Sequence, residues 1–343
     1  MINAIGIISI QSDPLSDIRG LYYLQACHLY QVEAYLYSAS ELKTFLSEGC
    51  LRAYTWGDGA PKQCLIDIPR YTEIYRGMYQ ILQNFPDEMR YFLKNTKLTD
   101  AFGLYKDQLQ KYMLLGTLSE YAIPTFPIRS FDELLPMLRV IPNAILKPAN
   151  GSRGLGIMKI KTKNEKTVYQ CGKISGELTR DAFEHYFKEE NKKSIVYYLL
   201  EPCLNITNYN GYAVDFRCLV SLGGKGDWEN VLTYARIGSS EIASNVSTGG
   251  LIADAVNVLE ELVPNQAEET LEKINRIALD VAELVQKNAK NPVSYLGIDI
   301  CIDRDTKQIY VIEANSKPGL KNNVWSLALV RAQYFKYLLA QNS

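Results

Sequence analysis

Residues 143–160 read NAILKPANGSRGLGIMKI, and this stretch decides the fold. A short apolar run ends at Lys147. A loop follows, with glycines at Gly151, Gly154 and Gly156. Residues 156–160 then alternate as a strand does. The pattern predicts a strand, a glycine loop and a second strand, with a lysine at the loop entrance. Glycines let backbone N–H groups wrap an anion, and a lysine adds a point charge. A nucleotide phosphate suits such a loop. A dinucleotide fingerprint would run directly into a helix, but the residues after Gly156, IMKIKTKNEK, favour a strand. A P-loop would end in GK[ST], which is absent. A hairpin that closes over ATP phosphates fits what remains. Ser152 is a candidate phosphate cap. Arg153 is either a phosphate contact or a solvated loop residue.

A second cluster lies far downstream. Residues 294–302 and 308–314 read as strands joined through the turn at 303–307, around the runs YLGIDICI at 295–302 and IYVIEAN at 309–315. Glu313 and Asn315 are two apart, so both face the same way. The turn brings Asp299 toward Glu313. Two carboxylates and an amide oxygen suit Mg²⁺, which takes oxygen ligands and leaves room for triphosphate oxygens. A solvated edge hairpin accounts for Asp303 and Asp305, but poorly for acids embedded in apolar runs. Asp215 and Arg217 share one face of a strand. They form a structural ion pair, or Arg217 stabilises charge on a transferred phosphoryl group while Asp215 orients it. Arg236 and Asn245 lie in the polar stretch before Gly249 and Gly250. Asn245 is a ligand to metal, phosphate or substrate, or else it caps a turn.

Bulk composition narrows the function classes. The 343 residues allow two or three domains. A formal net charge of -1 gives no global field favouring nucleic acid or an anionic membrane. Seven cysteines contain no CxxC pair, which suits free thiols in a reducing compartment. Two histidines are too few for a His-rich zinc site. Met1 leads into INAIGIISI with no basic stretch or small-residue cleavage site, and no run reaches the length of a membrane span. A cytosolic location is expected.

Periodicity outlines the organisation. Strands at 2–10 and 33–37 enclose a helix at 17–30, a β-α-β opening. Strands follow at 51–56 and 63–68, and 71–104 read as helical or irregular. A helix is expected over 106–121, and Ser130 with Glu133 forms a capping box for the next one. The mixed region around the hairpin, with a helix at 178–189, reads as a small lid. A strand at 194–200 ends in Glu201 and Pro202. Strands at 213–221 and 231–237, a helix at 268–287, the 294–314 hairpin and a helix at 323–340 complete the chain. Expected domain boundaries are 1–105, 106–195 and 196–343.

These residues resemble the ATP-grasp superfamily of carboxylate–amine ligases. Lys147 and the loop from Gly151 to Gly156 look like its phosphate-binding loop. Asp299, Glu313 and Asn315 look like its magnesium set. The resemblance implies that Glu201 is the hinge residue after the adenine strand, with Leu199 and Leu200 flanking the base. It implies that Lys111, in KYMLLGTLSEYAIPTFP, is the first nucleotide lysine, the alternative being a solvent-facing helix lysine. IDIPRYTEIYR, AVDFRCLV, TYARIGSSEIASNVSTGG and LGIDICIDRDTKQIYVIEANSKPG resemble the YheC/YheD-like ATP-grasp proteins of endospore-forming Bacilli, described as spore-coat-associated. Leu155 stands where those relatives lead one to expect lysine, and Ile74 where they lead one to expect asparagine.

The implied fold combines α/β and α+β parts: an N-terminal α/β domain, a small lid and a C-terminal α+β domain, with ATP between the last two. The implied activity is ATP- and Mg²⁺-dependent ligation of a carboxylate to an amine through an acyl-phosphate. Arg217, with Arg236 second, stabilises the intermediate. Lys317 binds a substrate carboxylate or is a solvated turn residue. Implied partners are small-molecule or peptide substrates and spore-coat proteins, with a mother-cell location. Two other readings remain: a nucleotide-binding coat assembly protein without catalysis, and a kinase.

Overall fold

The computed structural model describes residues 1–149, 156–163, 166–171, 174–191, 197–238, 250–319 and 324–341. The predicted opening is present as β1 (Ile2–Ser9), α1 (Ile18–Leu29) and β2 (Ala34–Ser38). Asp17 caps α1 by accepting from the Arg19 amide. Next come α2 (Glu41–Glu48) and the hairpin β3 (Leu51–Gly57) and β4 (Ala60–Ile66). The chain then returns to the sheet as β5 (Pro69–Glu73), passes α3 (Met78–Asn84) and α4 (Pro86–Phe92), and adds β6 (Lys97–Leu98). The sheet order is β4-β3-β2-β1-β5-β6. The sequence of β5 does not read as a strand. It buries Thr72 and Glu73 completely, so its pattern does not look like a core strand.

A linker leads to α5 (Lys106–Leu114), which ends well before the expected residue 121. The second sheet then forms from β7 (Phe126–Ile128), α6 (Phe131–Val140), β8 (Asn143–Pro148), β9 (Met158–Lys163), β10 (Lys166–Cys171), β11 (Ile174–Leu178), α7 (Arg180–Asn191) and β12 (Tyr198–Pro202). Its order is β11-β10-β9-β8-β12-β7. β8 and β9 pair antiparallel on either side of the glycine loop, as their sequence predicts. Gly156 closes the hairpin at φ +75°, and a Cβ there would lie 2.9 Å from Pro148 Cγ. Glycine answers both demands.

The third sheet contains β13 (Asn208–Tyr209), β14 (Tyr212–Leu222), β15 (Trp228–Ile237), β16 (Leu251–Asp254), β17 (Tyr295–Ile302) and β18 (Ile309–Asn315). It carries α8 (Ala255–Leu262), α9 (Ala267–Asn288) and α10 (Val324–Ala340). Its main order is β16-β15-β14-β17-β18, with β13 paired to β14.

The cores explain which parts form one body. One face of the third sheet packs Val214, Phe216, Ile298 and Ile300 against Ile274, Val281 and Val285 of α9. Leu109 and Met113 of α5 join that core. The other face supplies Leu219, Tyr234 and Tyr295 to a cluster with Ile5 and Leu36 of the first sheet, Tyr23 of α1, and Leu327 and Phe335 of α10. First and third sheets therefore share a core. The second sheet has its own, with Leu134, Leu146, Ile160, Phe183 and Leu200. This makes it a lid on a two-sheet base. Two boundaries need correction. Residues 106–122 pack with the third sheet rather than the lid, because Leu109, Met113, Leu118 and Ala122 face its core. β12 belongs inside the lid, where it pairs with both β7 and β8. Among the described residues no helix is long and apolar enough to cross a membrane.

Candidate nucleotide and metal cleft

The lid contributes one wall. In the β8–β12 ladder Lys147 pairs with Leu199 and Ile145 with Glu201, so these four share a face. Leu146 and Leu200 point the other way into the lid core. The Leu200 side chain therefore does not flank a base in the cleft, and Leu199 does lie on the Lys147 face. Glu201 is 5% exposed. Its carboxylate accepts from Lys147 Nζ at 2.5 Å and Thr125 Oγ1 at 2.9 Å, and pairs with Lys106 Nζ at 3.3 Å. Burial raises the Glu201 pKa, but Lys106 and Lys147 outweigh it and hold it below its usual range.

Lys106 is the residue that sequence reasoning missed. It opens α5, and its side chain reaches the Glu201 carboxylate, whereas Lys111 is exposed on the same helix. Of the two lysines on α5, Lys106 and not the expected Lys111 meets the lid. The available signal was the helix start itself, since a first-turn residue projects back toward the preceding loop. The Lys106 pKa feels burial downward, but Glu201 and then Glu313 hold it above the usual value. Lys147 responds oppositely. Burial, then the neighbouring Lys106 charge, push it down to about 7. Two lysines share one buried carboxylate, and the arrangement has spare positive capacity for an anion.

The third sheet forms the other wall. The β17–β18 register pairs Asp299 with Glu313 and Gly297 with Asn315, which places Asp299, Glu313 and Asn315 on one face. Asn315 Nδ2 donates to Glu313 Oε1 at 2.8 Å and approaches Asp299 Oδ2 at 3.4 Å. The same face carries Asp215 and Arg217 on β14 and Arg236 on β15. Asp215 and Arg217 do not pair with each other. Arg236 holds Asp215 in a two-point contact at 2.5 and 2.7 Å. Arg217 grips Asp299 through Nε and through Nη2 at 2.8 Å, and Arg236 Nη2 also lies 2.8 Å from Asp299 Oδ2. Burial raises the Asp299 pKa, but Arg217 and Arg236 bring it to about 2. Gly297 makes the crossing possible, because a Cβ there would lie 3.0 Å from Arg217 Cδ and 2.7 Å from Pro318 Cβ.

The residues fit magnesium with one qualification of chemistry. Glu313 and the Asn315 amide oxygen are hard donors on one face. Asp299 was expected as the third ligand. Its two oxygens already receive the Arg217 fork, Arg236 and Asn315, close to the capacity of a carboxylate. Metal binding by Asp299 requires a guanidinium to release an oxygen. Among the described residues no group of three or more His, Cys, Asp or Glu is arranged for a metal, so a donor set here depends on the amide.

Lys317 is elsewhere. Its Nζ lies 2.7 Å from Asp100 Oδ2, 4.0 Å from Glu73 Oε1 and 4.8 Å above the Tyr295 ring. It ties the first domain to the third sheet and is neither a solvated turn residue nor a free receptor for a carboxylate. Gly151, Ser152, Arg153, Gly154 and Asn245 lie outside the described residues.

The solved structures that this chain resembles include D-cycloserine synthetase DcsG, with a TM-score of 0.56, 12% identity and coverage of 98% of this chain and 99% of that one. They also include a Chryseobacterium gregarium RiPP-associated ATP-grasp ligase in complex with ADP and a leader and core peptide. That match has a TM-score of 0.51, 13% identity and coverage of 100% and 98%. At such identities the likeness shows the ATP-grasp fold. The endospore coat-associated protein YheC of Bacillus subtilis is 28% identical over 229 residues, 66% of this chain. The match spans 61% of that relative, less than two thirds of its length. Residues 78–338 match the family described as YheC/D like ATP-grasp, and with that match over most of its length the chain belongs to the YheC/YheD-like ATP-grasp family.

Proposed function

We propose that this protein is an ATP-dependent carboxylate–amine ligase that works through an acyl-phosphate. The observation that carries this reading is Lys106, which opens a helix packed on the third sheet and reaches the lid carboxylate Glu201 at 3.3 Å. One cation thus links a phosphate-binding wall to a metal-binding wall. In this reading Lys147 and Lys106 hold ATP phosphates, and the glycine loop with Ser152 and Arg153 covers them. Glu201 keeps both lysines in place beside the adenine pocket, where Leu199 offers an apolar contact. Glu313 and Asn315, with Asp299 beside them, would hold Mg²⁺. The metal supplies Lewis-acid charge for the phosphate oxygens.

Arg217 and Arg236 lie against Asp299 and Asp215, which fix the guanidinium planes before substrate arrives. A substrate carboxylate oxygen attacks the γ-phosphorus, and ADP leaves. An amine then attacks the acyl carbon, phosphate leaves, and an amide bond forms with loss of a proton. The arginines offset negative charge on the acyl-phosphate and on the tetrahedral adduct. Asn245 lies in the segment that would face the acceptor. Lys317 serves by holding the first domain to the third sheet.

Protonation offers a prediction. Lys147 is held near pH 7, so it is largely neutral above that pH and charged below it. Phosphate oxygens favour the charged form. Nucleotide binding at about pH 8 should therefore take up about one proton, and at about pH 6 much less. Calorimetry in buffers of different ionisation enthalpy reads this directly. Equal heats in all buffers at the higher pH would contradict the assignment.

The reaction itself is tested by product. Wild type and Glu313→Ala are incubated with ATP, Mg²⁺ and sporulating-cell extract, followed by untargeted mass spectrometry. A new amide with ADP and phosphate, made only by wild type, is the expected result. AMP and pyrophosphate would contradict it, and a phosphorylated product without an amide would make the protein a kinase. The name of the Bacillus subtilis relative motivates the spore coat and the mother cell as the setting of this chemistry.

A further inference from the structure

The first domain gathers a polar group at the ends of β1 and β5 that the cleft does not use. β1 pairs with β2 on one side and β5 on the other, all parallel. Where connections leave a central strand in opposite directions, a crevice opens beyond the strand ends, and ligands bind there. Here Ser9 ends β1, Tyr75 and Arg76 follow β5, and Asp17 precedes α1. Asp17 is 6% exposed. It accepts from the Tyr75 hydroxyl at 2.9 Å and pairs with Arg76 Nε at 3.1 Å. Tyr75 is stacked on Tyr23, with ring centroids 5.7 Å apart. The Arg76 side chain remains 33% exposed, and among the described residues its terminal nitrogens have no protein partner. A buried carboxylate thus fixes the root of the guanidinium and leaves its fork uncommitted. Such a fork suits a carboxylate or phosphate in a two-point contact.

The crevice adjoins the reaction centre. The Tyr295 hydroxyl donates to the Tyr75 carbonyl at 3.3 Å. Tyr295, Gly297 and Asp299 alternate onto one face of β17. Arg217 lies over Gly297 and grips Asp299. The Arg76 loop therefore rests on the strand that anchors Arg217. Four residue steps along the strand lead from Tyr295 to Asp299, a span on the order of 13 Å.

We propose that the carboxylate substrate carries a second anionic group, which Arg76 clamps in the crevice between β1 and β5 while the reacting carboxylate lies at Arg217. The proposal rests on the ligase reading above and adds a substrate class: an extended dianion whose charged ends lie on the order of 13 Å apart, about four residues of extended peptide. A carboxylate and a phosphate are alike at this fork, and the probes distinguish them.

The test uses the full chain with ADP and Mg²⁺ bound. Probes are a graded series of α,ω-dicarboxylates, the matching ω-phosphonooxy carboxylates, and the monomethyl ester of each dicarboxylate. Calorimetry should find a dianion of the right length that binds about tenfold more tightly than its mono-anionic partner. Arg76→Gln should abolish that difference, and Arg76→Lys should keep part of it. Whichever series binds more tightly names the second group. Protection of Arg76 from phenylglyoxal by the same dianion, read by peptide mass spectrometry on wild type, keeps the proposal testable if a variant does not fold. If no dianion outbinds its mono-anionic partner, or Arg76→Gln keeps the difference, the proposal is overturned while ADP binding still stands. Failure of wild type to bind ADP would overturn the ligase reading first.

Discussion

Replacing Arg331 with leucine is expected to cost about 3–5 kcal/mol of folding stability, the scale for removing one partner of a buried ion pair. Arg331 is 0% exposed and pairs with Glu73, also 0% exposed, at 2.6 Å. Its Nη1 donates to Ser294 Oγ at 2.8 Å, and its guanidinium lies 5.2 Å from the Tyr295 ring centre and 4.9 Å from that of Phe335. The substitution would leave Glu73 buried, with Thr99 and the more distant Lys317 as its polar neighbours. Urea unfolding measures the loss, and a change within about 1 kcal/mol would contradict it. The double variant Glu73→Gln, Arg331→Met should recover part of the loss, because both charges are then gone. The pH dependence has a definite sign. Burial raises the Glu73 pKa, but Arg331 and Lys317 hold it below its usual value. Its stabilising share is therefore present above the unfolded pKa of about 4.3 and is lost as pH falls through the folded one.

Glu313→Ala should leave the fold nearly intact and remove turnover. Glu313 is partly exposed at the end of β18, and its carboxylate accepts from Asn315 Nδ2 at 2.8 Å. A melting shift equivalent to less than about 1 kcal/mol is expected, as for other substitutions outside the core. ATP consumption should fall by about 10²–10³-fold, the scale for removing one group that stabilises charge in a transition state. Raised Mg²⁺ should restore part of it, since the Asn315 oxygen remains. Turnover within about threefold of wild type would remove Glu313 from the chemistry.

Much of this was legible because it is local. Lys147 precedes a glycine loop, and the β8–β9 hairpin forms around it. Asp299 and Glu313 sit in apolar runs, and the ladder pairs them directly. What was hidden depends on distant partners. β5 did not read as a strand because it buries Thr72 and Glu73, and Glu73 is neutralised by Arg331, 258 residues away in sequence. Lys317 looked like a free loop cation because its partner Asp100 belongs to another domain. Lys106 does not stand out from Lys111 in the sequence because helical periodicity does not say which lysine meets the lid. Asp299 was read as a metal ligand without its arginines, since Arg217 and Arg236 reach it from other strands. Even at Ser130 the local rule held only in part. Ser130 accepts from the Glu133 amide, but the Glu133 carboxylate turns to Arg129 N rather than completing the box.

One cleft between lid and base should hold a nucleotide through Lys147 and Lys106 and a metal through Glu313 and Asn315. Titration calorimetry of ADP with Mg²⁺ into wild type, Lys147→Ala and Lys106→Ala tests it most directly. The account predicts Mg²⁺-dependent binding to wild type and a loss of at least about tenfold in each variant, or 1.4 kcal/mol. Wild-type affinity retained in both variants would contradict it.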